Sequence, residues 1–282
     1  MSESTYFIGG SCNRLAADVS GPAQAPAVLL LHGGGQTRHS WERAHKALAQ
    51  AGYRVISVDA RGHGESEWIA DGDYTLEAQV ADLVALVKAV GGKPALVGAS
   101  MGGVNSLIAC GQLPALATTL VLVDVTPRLE AKGVEHIHRF MSGSPNGFAS
   151  LEEAADAIAA YNPTRPRPRD LNGLSKNLRL RDNGRWYWHW DPKFIEGDRH
   201  LKIDHIRDTM ADAARHVSVP TLLVRGKESD VVSMDGVRDL QALIPQLEFV
   251  DVEGAGHMVA GDRNDKFNSA IIDFLHRHYP IE

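Results

Sequence analysis

The chain has 282 residues, of which 44% are hydrophobic and 23% charged, a balance that excludes an intrinsically disordered protein. Its 29 basic and 35 acidic residues give a net charge of −6, so no global basic field exists to bind nucleic acid. Two cysteines, Cys12 and Cys110, exclude a disulfide framework. The start, MSESTYFIGG, lacks the features of a signal peptide, and the apolar runs are far shorter than the about 20 residues that span a bilayer. We expect a cytoplasmic protein that binds neither membrane nor nucleic acid.

Short apolar runs alternate with amphipathic segments along most of the chain, which is typical of a parallel sheet covered by helices on both faces. The predicted strands are 27–31, 53–58, 94–98, 119–124, 220–225 and 247–252. The predicted helices are about 40–51, 76–90, 101–112, 234–243 and 264–278. The helix 76–90 has the clearest period, since its apolar residues fall on one face.

The segment 127–215 interrupts this alternation. It contains helical stretches, a Pro/Arg loop and the aromatic string RWYWHWDPKF, but no clear strand. A segment of about 90 residues is too long for a loop inside a compact domain. We therefore predict a helical cap at 127–215, inserted into a core domain formed by 1–126 and 216–282. Strands flank the cap, so it should lie beside the carboxyl ends of the strands, where α/β sheets bind ligands.

Aromatic and basic residues of the cap are candidates for substrate binding. Aromatic side chains at this spacing usually pack a cap against its core, but some can face inward as an apolar wall. The aromatic pocket candidates are Trp186, Trp188 and Trp190. The Pro/Arg loop forms either a solvated surface or an anion-binding rim through Arg165, Arg167 and Arg169. Further arginines that could bind a substrate carboxylate are Arg179, Arg181 and Arg185.

The stretch LVGASMGG places a serine between glycines, directly after a predicted strand and before a predicted helix. Gly98, Ser100 and Gly102 form the G-x-S-x-G pattern of a nucleophile elbow in the context that this motif requires. The turn is sharp, and side chains at 98 and 102 would collide with neighbouring backbone. The helix that starts at Met101 points its positive end towards negative charge near the serine. Ser100 is therefore the candidate nucleophile.

A glycine-rich loop follows the strand at 27–31 in LLLHGGGQTRHSW. The backbone N–H groups of Gly34 and Met101 would form a pair of donors for a tetrahedral oxyanion. The alternative is a flexible glycine turn. Gly35 is a candidate for the substrate pocket, and we interpret His32 as a structural residue that holds the loop.

The general base must come from 13 histidines. His257 follows the last predicted strand and precedes the last helix, and the chain order of Ser100 before His257 is the order expected for this elbow. Its neighbour Met258 is a pocket candidate. His136 and His189 lie in the predicted cap, where a surface or pocket position is expected, and His136 is kept as a pocket candidate.

Together these residues resemble the α/β-hydrolase superfamily. The matching pieces are HGGGQTRHSW, VDARGHGESE, LVGASMGG, LVLVD, LLVRGKESD and GAGHMVAGD, which cover the chain apart from the cap. The resemblance implies an eight-stranded, mostly parallel sheet, a cap inserted after strand 6 and a Ser–His–acid triad. It implies no metal or organic cofactor, and the sequence contains no HExxH motif or phosphate-binding glycine loop.

The acid of the triad has two candidates. The superfamily commonly places it three residues after the glycine that ends the strand following the cap, but that position is Ser229 here, and Asp230 comes one residue later. Another branch places it about 24 residues after the nucleophile, where this chain has Asp124. Esterases and amide hydrolases of that branch share S-x-x-V-S, which here reads SDVVS. We favour Asp124 and keep Asp230 as the alternative.

The resemblance predicts a serine hydrolase that cleaves an ester, lactone or related acyl bond of a small, partly apolar substrate. An alternative on the same triad is a C–C bond hydrolase or lyase, or a cofactor-free perhydrolase. A third possibility is a ligand-binding protein that has kept the fold and lost turnover. The sequence does not indicate an oligomeric state.

Overall fold

The computed structural model describes residues 2–163, 167, 171–196, 203–259 and 264–281. The strands of this part of the chain are β1 (Glu3–Ile8), β2 (Arg14–Ser20), β3 (Ala27–Leu31), β4 (Arg54–Val58), β5 (Ala95–Ala99), β6 (Thr119–Val123), β7 (Leu178–Leu180), β8 (Trp186–Trp188), β9 (Thr221–Gly226) and β10 (Leu247–Val252). Eight of them form one sheet in the order β1-β2-β4-β3-β5-β6-β9-β10. β2 is antiparallel to β1 and β4, and the other neighbouring pairs are parallel.

Helices cover both faces of this sheet. The α-helices of the described residues are α1 (Glu42–Gln50), α2 (Leu76–Val90), α3 (Met101–Gln112), α4 (Ala131–Ser142), α5 (Leu151–Tyr161), α6 (Leu171–Ser175), α7 (Ile203–Ala214), α8 (Met234–Leu243) and α9 (Asn264–His278). Successive side chains of a strand point to opposite faces, and β3 shows the result. Leu29 packs in a core with α2, α3, α7 and α8, whereas Val28 and Leu30 pack in a second core with α1 and α9. Both faces of the sheet are therefore covered by packed side chains that exclude water, as buried parallel strands require.

The predicted fold class is confirmed: the sheet has eight strands, is mostly parallel and is flanked by helices. Each of the six strands predicted from the pattern occurs within one residue at either end. The first two strands were not predicted individually. β1 lies at the sheet edge with mostly exposed residues, and β2 ends in polar ones, so neither has the apolar run of a central strand.

Residues between β6 and β9 carry helices, as predicted, but the expectation that they lack strands was wrong. β7 and β8 form an antiparallel hairpin outside the main sheet. The turn contains Asn183-Gly184, with Gly184 at φ 73°. Asn-Gly is a strong hairpin signal, but the prediction for this stretch rested on its aromatic residues. The hairpin packs in its own hydrophobic cluster with residues of α5 and α6. The division into core and cap at 127 and 215 stays a prediction.

None of the described helices combines the length and the apolar character needed to cross a bilayer.

Candidate active site

Ser100 occupies a strained turn between β5 and α3. Its φ of 45° and ψ of −113° are unusual for a residue with a side chain, and the turn is held by the Ser100 N–H, which donates to the Val123 carbonyl at 3.1 Å. A Cβ atom at Gly98 would lie 2.4 Å from the Gly102 carbonyl oxygen, and one at Gly102 would lie 2.3 Å from the Leu31 oxygen. Both glycines are therefore required for the close approach of β5, α3 and β3.

The His257 ring lies against the Asp124 carboxylate. The Nδ1 atom of His257 lies 2.7 Å from Oδ2 of Asp124, whose side chain is fully buried at the end of β6. Asp124 also has a positive φ of 49°. Because a carboxylate only accepts hydrogen bonds, Nδ1 carries the proton of this bond, and in the neutral tautomer that this bond selects Nε2 has the lone pair. The alternative acid, Asp230, is 57% exposed, and its carboxylate lies 3.5 Å from His136 Nδ1.

Two groups on the segment after β9 hold the Asp124 carboxylate. The Gly226 N–H donates to Oδ1 at 3.1 Å, and the Ser229 hydroxyl donates to Oδ2 at 2.6 Å. The Ser229 oxygen in turn accepts from the N–H groups of Val231 and Val232, each at 3.1 Å. Sequence reasoning missed this role of Ser229. The signal was its position three residues after Gly226, where the superfamily commonly has its acid.

The loop Gly33–Gly35 is held from the core by two buried histidines. His32 accepts the Ala60 N–H on Nε2 at 2.9 Å, so its Nδ1–H donates to the Gly33 carbonyl at 2.8 Å. His63 accepts the Gly35 N–H on Nε2 at 3.1 Å. Burial lowers the pKa of His32, which keeps the ring neutral and able to accept. These bonds agree with the interpretation of His32 as a structural residue.

His189 holds the same loop from the predicted cap. Its Nδ1 accepts the Gly64 N–H at 2.8 Å, so its Nε2–H faces the Gly35 carbonyl oxygen at 3.3 Å. The side chain is fully buried, not at the surface or in the pocket as expected, because it fills the space between the hairpin and two core loops. Burial lowers the pKa of His189 to about 3, so the ring is neutral at physiological pH.

Two further bonds join this part of the chain to the core. The Asp191 N–H donates to the Gly62 carbonyl at 2.8 Å, and Arg179 Nη2 donates to the Gly64 carbonyl at 2.8 Å. We call these two bonds and the two of His189 the cap junction. The hairpin is thus bonded to backbone groups of the core on both sides of His63.

A cavity of about 1090 Å³ opens above the carboxyl ends of the strands and contains both Ser100 and His257 in its lining. The sequence-predicted residues that also line it are Gly34, Gly35, Met101, Trp188, Trp190 and Met258. Neither the Gly34 nor the Met101 N–H has an acceptor among the described residues, so both remain available to a ligand.

Trp186 and His136, both predicted for the pocket, are not among the described lining residues, which corrects the prediction. Trp186 is paired through its backbone with Phe148, at 2.7 and 2.8 Å, and packs in the hydrophobic cluster of the hairpin. His136 faces the exposed Asp230 carboxylate.

Four of the six arginines predicted as anion-binding residues are described by the structure, and each is bonded elsewhere. Arg165 and Arg169 lie outside the described residues. The others make local contacts: Arg167 with the Asp156 carboxylate, Arg179 with the Gly64 carbonyl, Arg181 with the Tyr187 ring, and Arg185 with the carbonyls of Asn146 and Gly147. None of these four lines the cavity. In the described part of the chain, no group of three or more candidate ligands could hold a metal ion.

Comparison with known proteins shows the family of the chain. Residues 26–263 match the family model described as the alpha/beta hydrolase fold. The chain is 32% identical over 247 residues to an esterase of Mycobacterium tuberculosis, covering 85% of this chain and 79% of that protein. It is 30% identical over 268 residues to an sn-1-specific diacylglycerol lipase of Mus musculus, covering 91% and 83%.

Solved structures show the same fold. The crystal structure of E-2-(acetamidomethylene)succinate hydrolase superposes with a TM-score of 0.86 at 24% identity, covering 98% of this chain and 99% of that one. With the matched family model and the esterase and lipase relatives, this likeness identifies the chain as a member of the α/β-hydrolase family and as a hydrolase.

Proposed function

We propose that the chain hydrolyses a carboxylic ester or lactone of a small molecule through an acyl-enzyme on Ser100. The observation that carries the proposal is the His257–Asp124 bond of 2.7 Å at the wall of a cavity that Ser100 also lines. The names of the esterase and lipase relatives support the choice of an ester bond.

His257 supplies the base that the serine needs. A serine hydroxyl is a weak nucleophile near neutral pH, and Nε2 of His257 takes its proton as Ser100 attacks the ester carbonyl. The same nitrogen then protonates the leaving alcohol. Asp124 fixes the tautomer with hydrogen on Nδ1 and stabilises the imidazolium that forms. Water activated by His257 then releases the acyl group and regenerates Ser100.

The N–H groups of Gly34 and Met101 act on the charge that develops on the carbonyl oxygen. Such donors stabilise the transition state more than the ground state, and the loss of one typically costs on the order of 3–4 kcal/mol of activation free energy. The Met101 N–H lies in the first turn of α3, so the helix dipole adds to its effect.

The test is covalent labelling. The pure protein is treated with a fluorophosphonate probe, and peptide mass spectrometry locates the added mass. We expect stoichiometric modification of Ser100 that is lost in His257→Ala, and loss of ester turnover in Ser100→Ala. Unchanged turnover in Ser100→Ala would refute the proposal. Turnover without an acyl-serine on rapid quenching would favour the C–C cleaving alternative.

A further inference from the structure

The walls of the cavity are aliphatic and aromatic. On α4, Val134, Ile137 and Met141 recur at helical spacing and all three line the cavity. Each is only half-buried, so apolar surface remains uncovered on the cavity side. Trp188 and Trp190 also line the cavity, and they stack with ring centroids 5.1 Å apart.

The lysine and arginine side chains that the structure describes in the lining are exposed and have bonded partners. Its cations with permanent charge are Arg128, Lys193 and Arg207 among the described residues. Arg128 pairs with Asp235 and Asp239, Arg207 pairs with Asp204 and Asp208, and Lys193 donates to the Ala70 carbonyl at 2.7 Å. The described residues that α4 and the Trp188–Trp190 pair contribute to the lining are all uncharged. A carboxylate buried against them would lose its hydration without gaining an ion pair, which is costly.

The size of the cavity exceeds the needs of a short acyl group. Pockets for drug-sized ligands occupy about 300–1,000 Å³, and this cavity has about 1090 Å³. Four of the six methionines of the chain line it, and thioether side chains adapt to ligands of different shape. This favours a range of long chains over one compact substrate.

We propose that the site takes uncharged esters that carry an extended apolar chain and rejects esters with a carboxylate on that chain. This inference rests on the proposed ester hydrolysis at Ser100 and narrows the small substrate expected from the sequence to a longer, neutral one. The apolar chain of the substrate lies along the part of the lining that Val134 and Ile137 of α4 contribute, with the ester carbonyl at Ser100.

The first experiment measures kcat/KM for p-nitrophenyl esters with acyl chains of two to twelve carbons, and for n-alkyl acetates of the same range. We expect kcat/KM to rise along at least one series by about two- to fourfold per methylene, from the transfer free energy of a buried methylene, until the cavity is filled. The mono-p-nitrophenyl ester of adipic acid should be hydrolysed at least about 100-fold less efficiently than p-nitrophenyl hexanoate.

A pair of variants on α4 tests the location of the chain. Val134 faces the cavity and belongs to none of the described hydrophobic clusters, so Val134→Trp fills the cavity without removing a core contact. Lys132→Trp places the same side chain on an exposed position of α4 outside the lining. We expect Val134→Trp to lower kcat/KM for the decanoate at least tenfold more than for the acetate, while Lys132→Trp changes neither.

The outcomes separate this inference from the function on which it rests. The inference is wrong, and the proposed function stands, if acetyl esters are hydrolysed in a Ser100-dependent way but kcat/KM does not rise with chain length in either series. The same holds if kcat/KM for the adipate ester equals that for the hexanoate. If no ester of any length is hydrolysed and Ser100 is not labelled, the proposed function fails with it. An equal loss on both esters in Val134→Trp would also overturn the placement of the chain.

Discussion

Two substitutions of His189 separate a positioning role in catalysis from a role in stability. An Asn amide lies near the position of the histidine Nδ1, and a Gln amide reaches near that of Nε2. His189→Asn should keep the acceptor for the Gly64 N–H and lose the donor to the Gly35 carbonyl. His189→Gln should do the reverse.

The expected magnitudes follow from these two bonds, of 2.8 Å to Gly64 and 3.3 Å to Gly35. Each variant leaves one buried backbone group without a partner, which costs about 1–3 kcal/mol of the free energy of unfolding. Only His189→Asn frees the carbonyl of Gly35, next to Gly34, the oxyanion donor of the proposed mechanism. Complete loss of an oxyanion donor typically lowers kcat by about 10²–10³, so partial displacement should lower it about tenfold.

The assay combines urea denaturation with kcat and KM on one activated ester. We expect similar stability losses in both variants, a drop in kcat confined to His189→Asn, and little change in KM. His45→Gln is the matched control, since His45 is also buried and bonded, to Ser57 Oγ at 2.7 Å, but lies on α1 away from the cavity. Equal kcat values in the two His189 variants would refute the idea that the Gly35 bond positions the oxyanion loop.

The remaining predictions concern the acid and the pH dependence. Asp124→Asn should lower kcat by about 10⁴ because it favours the wrong tautomer of His257, whereas Asp230→Asn should leave kcat unchanged; the reverse result would assign the acid to Asp230. Ser229→Ala should lower kcat about tenfold because it removes a hydrogen bond to the Asp124 carboxylate. The double variant Asp124→Asn/Ser229→Asp should have a kcat at least tenfold higher than Asp124→Asn, because the Ser229 oxygen lies 2.6 Å from the Asp124 carboxylate, so an aspartate at 229 can take its place. The pKa of His189 is about 6.5 in the unfolded chain and about 3 in the folded protein, so acid favours the unfolded state. Between pH 7 and pH 5 this residue should lower the free energy of unfolding, measured by urea denaturation, by about 2 kcal/mol. His189→Gln should show a correspondingly smaller pH dependence of that free energy.

The parts of the fold that were predictable are those with strong local signals. Strands β3 to β6, β9 and β10 are apolar runs because they are buried on both faces, and α2 shows its period because only one side packs on the sheet. β1 and the hairpin escaped prediction because an edge strand and a three-residue strand bury too little surface to impose a pattern.

The candidate site was predictable at positions where the local sequence allows a single structural interpretation. Ser100 stands in a motif whose glycines are forced by backbone contacts at Gly98 and Gly102. His189 gave no such signal, because the local sequence of a histidine among aromatic residues is the same whether its side chain contacts solvent, substrate or a backbone carbonyl. Its role depends on Gly35 and Gly64, which are 154 and 125 residues away in the chain.

The cap junction limits how segments of related hydrolases can be exchanged. Its partners in the core are backbone groups of Gly35, Gly62 and Gly64, so a transplanted hairpin must match their positions and not merely the length of the replaced piece. A chimera that exchanges only α4 and α5 replaces the aliphatic wall and leaves the residues of these bonds native. The same segment contains Phe148, whose backbone pairs with Trp186, and the α5 residues that pack on the hairpin. Recombination at 130 and 162 should therefore change the substrate range and keep the cap junction only where the donor segment preserves this pairing.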